Sequence, residues 1–496
     1  MEPGSSGRFR AGKLLLLSLV LLAFGLRLYH LDYQSLWRDE MDAILFAQRD
    51  PSGLKSLFLT PGHNGPLYYV ILHCWVGLVG DSEFSVRYLS LVCGVLAVPV
   101  LYLLGRRWVG KTGGLIAALL CATSPFLVWY GQEGKMYALL FLLSMLSTHV
   151  YLLAVERNRG YLWAGYVLLV ALSLYVHLLA ILIVPFHLLL FLVSWPRYRG
   201  AWKSWLVTIV ILALPYLPLA RWEIGTLVGP FTTGHQFYAL QDMLTILLFS
   251  FSLHSAPHRN LLAITLFLFL LLAGLLLHTR DRQWDPRRSV RGMLHSHLDS
   301  IILGLYLFLP VVSLFLISLG MPIFTDRYLI TVVPAFLLLL AGGLVAVRER
   351  SKSLAIVCLG LVILSNLYVL ALQGHTKIKS DFRSAAQYVQ EDGRGDLIVF
   401  VIPHGRPVFD YYYDDEYVGV DAPYTNVGIG SGDVAEEMEE ATEGYAEVWF
   451  IVTEAELWDS SGLVQEWFES HGTPLAKRSL ARVGVYLYAL PSAEVS

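Results

Sequence analysis

Charged residues are scarce in this sequence. Asp, Glu, Lys and Arg together make up 15% of the 496 residues, whereas 56% are hydrophobic. A soluble domain carries about 25% charged residues. Apolar stretches of about 15 to 20 residues recur over the first three quarters of the chain, and a helix needs roughly 17 to 25 to cross a bilayer. The composition excludes an ordinary soluble enzyme and predicts an α-helical polytopic membrane protein.

Cysteine and nucleotide-binding motifs are also scarce or missing. The four cysteines all fall in apolar stretches, and no pair has the spacing of a metal site, so we interpret them as packing residues. The sequence has neither a P-loop nor a dinucleotide fingerprint. This absence disfavours a nucleotide as a ligand, and no nucleic-acid partner is expected.

The formal net charge of -3 conceals an uneven distribution. Residues 373–496 contain 8 Lys and Arg against 22 Asp and Glu, whereas residues 1–372 contain 28 against 17. A basic membrane domain over 1–372 therefore precedes a soluble, acidic domain over 373–496. In the tail, three apolar runs that are typical of strands alternate with helical patterns, which predicts a small α/β domain. The strands are Asp396–Ile402, Glu447–Thr453 and Val483–Leu490, and the helices are Asp381–Glu391, Asp433–Glu440 and Leu463–Glu469.

The loop charges predict the orientation of the chain in the membrane. Six basic clusters hold 19 Lys and Arg, while the opposing short loops hold eight. The positive-inside rule places the basic clusters in the cytosol, and with them the N-terminus. About eleven spans then put the tail outside the cytosol. They are Leu14–His30, Ser85–Leu104, Gly113–Trp129, Met136–Val155, Tyr161–Tyr175, His177–Ser194, Ser204–Ala220, Leu261–Leu277, Ser300–Leu319, Tyr328–Val347 and Ser353–Leu372.

Three apolar segments have a second interpretation. The first span follows basic residues, as a signal peptide would, but no small-residue cleavage pattern comes after it, so a membrane anchor is predicted. Pro66–Gly80 and Leu240–His254 are each 15 residues long. Counting either as a crossing would move a basic cluster to the wrong side, so we interpret both as helices at the outer interface, with short tilted spans as the alternative.

The first predicted outer loop, residues 31–84, begins with adjacent carboxylates. Asp39 and Glu40 are followed by Ala43, Ile44 and Ala47, which have the spacing of a helix face. The carboxylates are therefore predicted to open a short amphipathic helix, whose N-terminal dipole favours their ionised form. An ionised carboxylate in a sheltered site can take a proton from an acceptor hydroxyl or amine. The alternative is that Asp39 only caps the helix.

Other polar residues gather at predicted outer membrane boundaries, where charges are costly and usually functional. They are His63 and Asn64, then Gln132, Glu133, Lys135 and Tyr137, and finally Arg327 and Tyr328. Lys135 and Arg327 have the chemistry of phosphate binders. The alternative for a single Arg at the end of a span is that it reaches toward lipid headgroups.

The order of these motifs resembles that of the GT-C membrane glycosyltransferases, specifically the bacterial and archaeal relatives of protein O-mannosyltransferases and of the lipid A aminoarabinose transferase. The resemblance covers roughly residues 14–350, and its most specific part is Asp81–Leu139. The motifs are the Asp39-Glu40 pair, His63–Tyr69, Gly80–Arg87, Tyr130–Leu139 and Asp326–Pro334.

The resemblance implies transfer of a sugar, with inversion, from a polyprenyl-phosphate carrier to a protein, glycolipid or cell-envelope polysaccharide outside the cytosol. It implies that Asp39 is the general base, with Glu40 beside it. It also implies that Lys135 and Arg327 bind the carrier phosphate. Apart from the lipid-linked donor and the surrounding membrane lipids, no cofactor is expected.

This sequence departs from the family pattern in three places. His63-Asn-Gly-Pro-Leu67 stands where the family often has His-Pro-Pro-Leu. Lys135 stands where the family usually has Arg, so a two-pronged grip on phosphate is lost there. Some relatives bind a metal through a Glu near the position of His63, but no Glu lies between Asp50 and Asp81, so no metal site is predicted.

Two other function classes fit a multi-pass chain. A lipid or solute transporter would place charges deep in its spans and break helices near the midplane. Pro99, Pro185 and Pro215 fit that expectation, but the charged residues gather at the boundaries instead. A binding protein that works through its tail would not need about eleven spans as an anchor. Neither the sugar nor the acceptor follows from the sequence.

Overall fold

The structure is a computed structural model, and it describes residues 4–59, 64–228, 235–254, 260–277 and 297–491. Contacts divide the chain into two units. We name Met1–Leu31 with Phe46–Gly374 the membrane unit, and Asp32–Leu45 with His375–Ser496 the tail unit. The division falls within helix α2 (Arg38–Ala47).

The described part of the membrane unit is helical. Its α-helices are α1 (Gly4–Leu28), α3 (Pro51–Ser56), α4 (Pro66–Val79), α5 (Glu83–Trp108), α6 (Gly110–Thr123), α7 (Pro125–Gly131), α8 (Tyr137–Arg157), α9 (Gly160–Val176), α10 (Ile183–Val193), α11 (Trp195–Tyr198), α12 (Trp202–Val228), α13 (Leu240–Leu253), α14 (Leu261–Leu276), α15 (Leu298–Ser318), α16 (Val333–Arg350) and α17 (Lys352–His375). All eleven predicted spans fall on helical structure. Among the described residues, five helices are long and apolar enough to cross a membrane, or seven if each of two bent pairs is one span. The number eleven therefore stays a prediction.

One predicted span, Gly113–Trp129, is broken. Helices α6 and α7 meet at an angle of 57°. The break follows from the sequence, because the Ser124 side chain accepts a hydrogen bond from Leu127 N and Pro125 occupies the first turn of α7. This is a helix-start signal inside an apolar run, and apolarity alone did not reveal it.

The two segments interpreted as interfacial form helices α4 and α13. Each has 14 residues, which is short of the roughly 17 to 25 needed to cross a bilayer. Their position at the interface stays a prediction.

Helix α16 runs through the interior of the membrane unit. Gly274 of α14 faces Gly343 of α16 so closely that a Cβ on Gly274 would lie 2.0 Å from the Leu339 carbonyl oxygen. Glycines allow such close contact between membrane helices. In contrast, α17 exposes large apolar side chains such as Ile356 and Leu364, as expected of a surface in contact with lipid.

The tail unit is built on a five-stranded sheet with the order β2-β1-β3-β5-β4. Strand β1 is parallel to β2 and β3, and β5 is antiparallel to β3 and β4. The strands are β1 (Leu397–Phe400), β2 (Val418–Asp421), β3 (Glu447–Thr453), β4 (Thr473–Leu480) and β5 (Val483–Ala489). The helices are α18 (Phe382–Asp392), α19 (Arg406–Asp410), α20 (Ser431–Thr442), α21 (Ala455–Trp458) and α22 (Leu463–His471). The predicted α/β domain is confirmed.

All three predicted tail strands exist, and β2 and β4 were missed. The missed strands are the two edges of the sheet, and most of their residues are exposed or half-buried. Edge strands lack the continuous apolar run that marks a central strand. The core forms where β1 and β3 pack against α20 and α22 through residues such as Val399, Phe450, Met438 and Phe468.

Asp32–Leu45, which we name the DE segment, groups with the tail unit. The sequence placed these residues in the first outer loop of the membrane domain, with a domain boundary after residue 372. That boundary stays a prediction. The grouping reflects side-chain contacts with residues more than 300 positions away, for example between Gln34 and Thr376, which local sequence patterns do not record.

Candidate functional site

The carboxylates of the DE segment open a helix, as predicted. The Trp37 carbonyl accepts hydrogen bonds from Glu40 N and Met41 N, both at 3.0 Å, which starts α2. Asp39 lies in the first turn and is partly exposed, whereas Glu40 is fully buried. The N-terminal end of a helix stabilises negative charge. The accessible Asp39 carboxylate is therefore the one suited to meet a substrate.

Glu40 binds a residue that the sequence did not single out. Lys379 Nζ lies 2.8 Å from Glu40 Oε2, and the exposed fractions of the two side chains are 7% and 0%. Lys379 Nζ also lies 5.8 Å from the centre of the Trp37 ring. Two buried charges are tolerated when they pair. The geometry thus gives Glu40 a structural partner within the tail unit.

His404 lies near the start of α2. Burial lowers the pKa of His404 below its ordinary value, and the positive charge of Arg38 lowers that pKa further, while Asp42 raises it. Because the net shift is downward, the imidazole is neutral at pH 7.

In the membrane unit, Arg27 completes the broken helix α6–α7, which leads to the turn between α7 and α8 that contains Glu133 and Lys135. Pro125 has no N–H, so it cannot donate to the Cys121 carbonyl as a continuing helix would. Arg27 Nη2 donates to Cys121 O at 3.1 Å and Nη1 donates to Ala122 O at 3.2 Å. Gln132 Nε2 then donates to the carbonyls of Arg27 and Tyr29 at 3.0 and 2.8 Å. The end of α1 therefore fixes the loop that carries Lys135.

Lys135 is buried, with 7% of its surface exposed. Ser90 Oγ donates to the Lys135 carbonyl at 3.1 Å, and Lys135 Nζ lies 5.7 Å from the centre of the Tyr69 ring. A side chain that reaches toward lipid headgroups keeps its charged end in the interface. The burial of Lys135 is the opposite of that arrangement and disfavours the headgroup alternative.

Arg327 lies in a 3-10 segment, Asp326–Val332, that leads into α16. The guanidinium carbon is 5.6 Å from the Tyr137 ring centre and 6.0 Å from that of Tyr328. Such cation–π contacts hold a cation without neutralising it.

His177, which the sequence did not predict as a site residue, lies beside the two tyrosine rings that Arg327 contacts. The His177 ring lies 6.0 Å from Tyr137 and 5.0 Å from Tyr328, and His177 Nε2 is 3.0 Å from Asn64 Nδ2. The charges of Lys135 and Arg327 both act on this imidazole. We name Asn64, Lys135, Tyr137, His177, Arg327 and Tyr328 the cation cluster.

Carboxylates accompany the cation cluster. Asp326, Glu133 and Arg327 all exert their charges on Tyr130, whose ring is 5.3 Å from Tyr137. Glu133 is buried, with 1% of its surface exposed. Nearby carboxylates offset the cost of burying cations and keep them charged.

The predicted site residues that the structure describes are divided between the two units. Asn64, Gln132, Glu133, Lys135, Tyr137, Arg327 and Tyr328 belong to the membrane unit, and Asp39 and Glu40 belong to the tail unit. His63 lies outside the described residues. Residue roles in catalysis and donor binding stay predictions. His177 and Lys379 were missed because a single His between apolar stretches and a Lys after the last span carry no distinctive pattern.

Among the described residues, no group of three or more His, Cys, Asp or Glu side chains is arranged to hold a metal ion. The prediction of no metal site near His63 stays untested, because His63 is outside the described part of the chain.

Comparison with known proteins gives one family and a shared fold. Residues 63–222 match the family described as dolichyl-phosphate-mannose-protein mannosyltransferase. No curated protein sequence matches the chain. ArnT from Cupriavidus metallidurans, solved bound to undecaprenyl phosphate, is similar at 12% identity and a TM-score of 0.57 over 98% of each chain. The Archaeoglobus fulgidus oligosaccharyltransferase, solved with zinc and sulfate, is similar at 14% identity and a TM-score of 0.56 over 96% of this chain and 73% of that one.

At such identities the likeness to solved structures shows the fold, and it extends over nearly the whole chain. The family match covers the part of the sequence that contains the turn between α7 and α8, including Lys135. Both findings confirm the resemblance carried by the sequence motifs. The chain is a multi-pass membrane protein that shares its fold with ArnT and with the archaeal oligosaccharyltransferase.

Proposed function

We propose that this protein transfers a sugar from a polyprenyl-phosphate carrier to an acceptor on the extracytoplasmic side of the membrane, with inversion at the anomeric carbon. The observation that carries the proposal is the pair of cations held by aromatic rings in the membrane unit: Lys135 is buried beside Tyr69, and Arg327 lies beside Tyr137 and Tyr328. Two cations from separate loops suit a phosphate group. The acceptor is a protein, a glycolipid or a cell-envelope polysaccharide, and the sugar is a hexose or a pentose.

In the proposed reaction, the Asp39 carboxylate takes the proton of an acceptor hydroxyl. The acceptor oxygen attacks the anomeric carbon on the face opposite the phosphate. The bond between that carbon and the phosphate oxygen breaks, and its electron pair stays on the leaving polyprenyl phosphate. Because the phosphate gains negative charge as it leaves, Lys135 and Arg327 stabilise the transition state more than the bound donor.

The burial of Lys135 supports this role for the cations. Its charge lies away from bulk water, where electrostatic interactions are stronger than at an exposed surface. The aromatic rings of Tyr69, Tyr137 and Tyr328 hold both cations in place. A site organised before the donor arrives loses little energy to rearrangement during the reaction.

We further propose that the reaction needs no divalent metal. The stretch between Asp50 and Asp81 contains no Glu that could act as a ligand near His63. Proton transfer to Asp39 and charge stabilisation by the two cations account for the bond changes without one.

Reconstitution of the purified protein tests the proposed activity. Proteoliposomes receive polyprenyl-phosphate-linked hexoses and pentoses together with protein, glycolipid or polysaccharide fractions from membranes of a deletion strain. We expect release of polyprenyl phosphate and appearance of a glycosylated acceptor, both unchanged by EDTA. Movement of the donor across the bilayer with no release of polyprenyl phosphate would instead favour a transporter, and loss of activity with EDTA would refute metal independence.

The proposed orientation has its own test. We expect a reporter fused after Ser496 to be active only outside the cytosol, and one fused before Met1 to be active only inside, because the basic clusters are retained in the cytosol. Paired reporters that need opposite compartments measure both ends. Activity of the C-terminal fusion in the cytosol would contradict the orientation.

A further inference from the structure

The DE segment is held by the chain that follows the last helix of the membrane unit, which we name the clamp segment (His375–Arg383). The side chain of Gln34 both donates a hydrogen bond to the backbone of the clamp segment and accepts hydrogen bonds from it. The Gln34 Nε2 donates to Thr376 O at 2.8 Å, and the Gln34 Oε1 accepts from Ile378 N and Lys379 N at 2.9 and 3.3 Å. One side chain thus fixes the clamp segment against the DE segment.

Further bonds surround this contact. Arg383 N donates to Ser35 Oγ at 3.3 Å, and Arg383 Nη2 donates to the Asp32 carbonyl at 2.8 Å. At the other end, the Tyr33 hydroxyl donates to the His375 carbonyl at 3.0 Å. Each segment donates hydrogen bonds to the other. The position of the DE segment therefore depends on the clamp segment.

The ion pair between Lys379 and Glu40 connects the clamp segment to helix α2. The bonds of Gln34 hold the backbone of Lys379, and its ammonium group reaches Glu40 at 2.8 Å. Glu40 directly follows Asp39 in the first turn of the helix. Because both side chains are buried, loss of one charge removes an attraction that offsets the cost of burying the other. The ion pair therefore favours one arrangement of the two groups.

We propose that Lys379 is a positioning residue that acts through Glu40 to set the orientation of Asp39. The inference rests on the proposed function, in which Asp39 is the general base. It gives the tail unit a role in catalysis, since Lys379 belongs to that unit. It also separates the two acidic residues, with Asp39 accepting the proton and Glu40 holding the helix.

Replacement of Lys379 tests the proposal. We expect Lys379→Met to lower kcat by about 10- to 100-fold, because a small displacement of a catalytic group has a large effect on rate. KM for the lipid-linked donor should change less than threefold, since the cation cluster lies in the membrane unit. Lys379→Arg, which keeps the charge, should recover at least part of kcat.

A second readout does not depend on activity. Hydrogen–deuterium exchange of the amides of residues 36–45 should speed up about tenfold in Lys379→Met, because the segment opens more often without the pair. The matched control is Lys377→Met. Lys377 lies in the same clamp segment but pairs with Asp381, at 2.6 Å. This control should keep wild-type kcat and wild-type exchange in residues 36–45.

The double variant Glu40→Gln/Lys379→Gln covers the case in which the single variant does not fold. Removing both charges together avoids leaving one member of this buried ion pair charged without the other. We expect it to fold, with lowered kcat and faster exchange. Wild-type kcat together with wild-type exchange, in either Lys379→Met or the double variant, would overturn the proposal. If the wild-type protein shows no sugar transfer, the proposed function fails, while the exchange measurement still decides whether Lys379 holds the DE segment.

Discussion

Replacing Asp39 with Asn lowers the turnover number by about 10² to 10⁴-fold, the range that a positioned general base contributes. The amide keeps the shape of the carboxylate but cannot take a proton from the acceptor. Asp39 is partly exposed in the first turn of α2, where a substrate can reach it. The measurement is the steady-state release of polyprenyl phosphate by purified protein with saturating donor.

The matched control for this change is Asp42→Asn. Asp42 lies one turn further along the same helix, so the substitution removes the same charge from the same segment. We expect its turnover to stay within threefold of the wild type. Donor binding by Asp39→Asn should also be unchanged, because no part of the proposed phosphate site is altered. Near-normal turnover of a folded Asp39→Asn protein would remove Asp39 from the role of base.

The helices and the central strands were predictable because their signals are local. Apolar length and loop charge predicted eleven spans, all of which fall on helical structure, and continuous apolar runs predicted β1, β3 and β5. The break at Pro125 was also present in the sequence, as a Ser-Pro start signal inside an apolar run. A criterion of apolar length does not detect such a helix start, because Pro125 and its neighbours are themselves part of the apolar run.

The site contacts were less predictable, because they join distant parts of the chain. Asn64 and His177 are 113 positions apart, and Glu40 and Lys379 are 339 apart. Charge type and boundary position selected Lys135 and Arg327. No local pattern distinguishes Lys379 from Lys377, although only the former binds Glu40 in the described structure. Long-range packing determines which of two neighbouring lysines meets the carboxylate.

Replacement of the two cations of the cluster should also lower the catalytic efficiency strongly. We expect Lys135→Ala and Arg327→Ala each to lower kcat/KM by about 10- to 100-fold, because each removes a charge that stabilises the departing phosphate. If the two cations bind one phosphate, the loss in the double variant should be smaller than the product of the single losses. The three variants and the wild type form a double-mutant cycle measured with the same donor.

Two exposed cations provide the controls for this cycle. Lys55→Ala matches Lys135→Ala, and Arg49→Ala matches Arg327→Ala. Both lie outside the cation cluster, so we expect kcat/KM within twofold of the wild type. Lys135→Arg is the informative conservative change, because it keeps the charge and adds a planar fork suited to phosphate. It should retain or raise activity.

The competing account is that both cations serve only the surrounding structure or the lipid headgroups. It predicts that folded Lys135→Ala and Arg327→Ala proteins keep wild-type kinetics with saturating polyprenyl-phosphate-sugar. The burial of Lys135 and the contacts of both cations with aromatic rings favour a fixed internal site.

Thermal unfolding gives a separate test of phosphate binding. Polyprenyl phosphate should raise the melting temperature of the wild type, because a ligand that binds only the folded state stabilises it. Loss of this shift in the double variant, with the shift kept in Asp39→Asn, would assign the cations to the phosphate and the carboxylate to the acceptor.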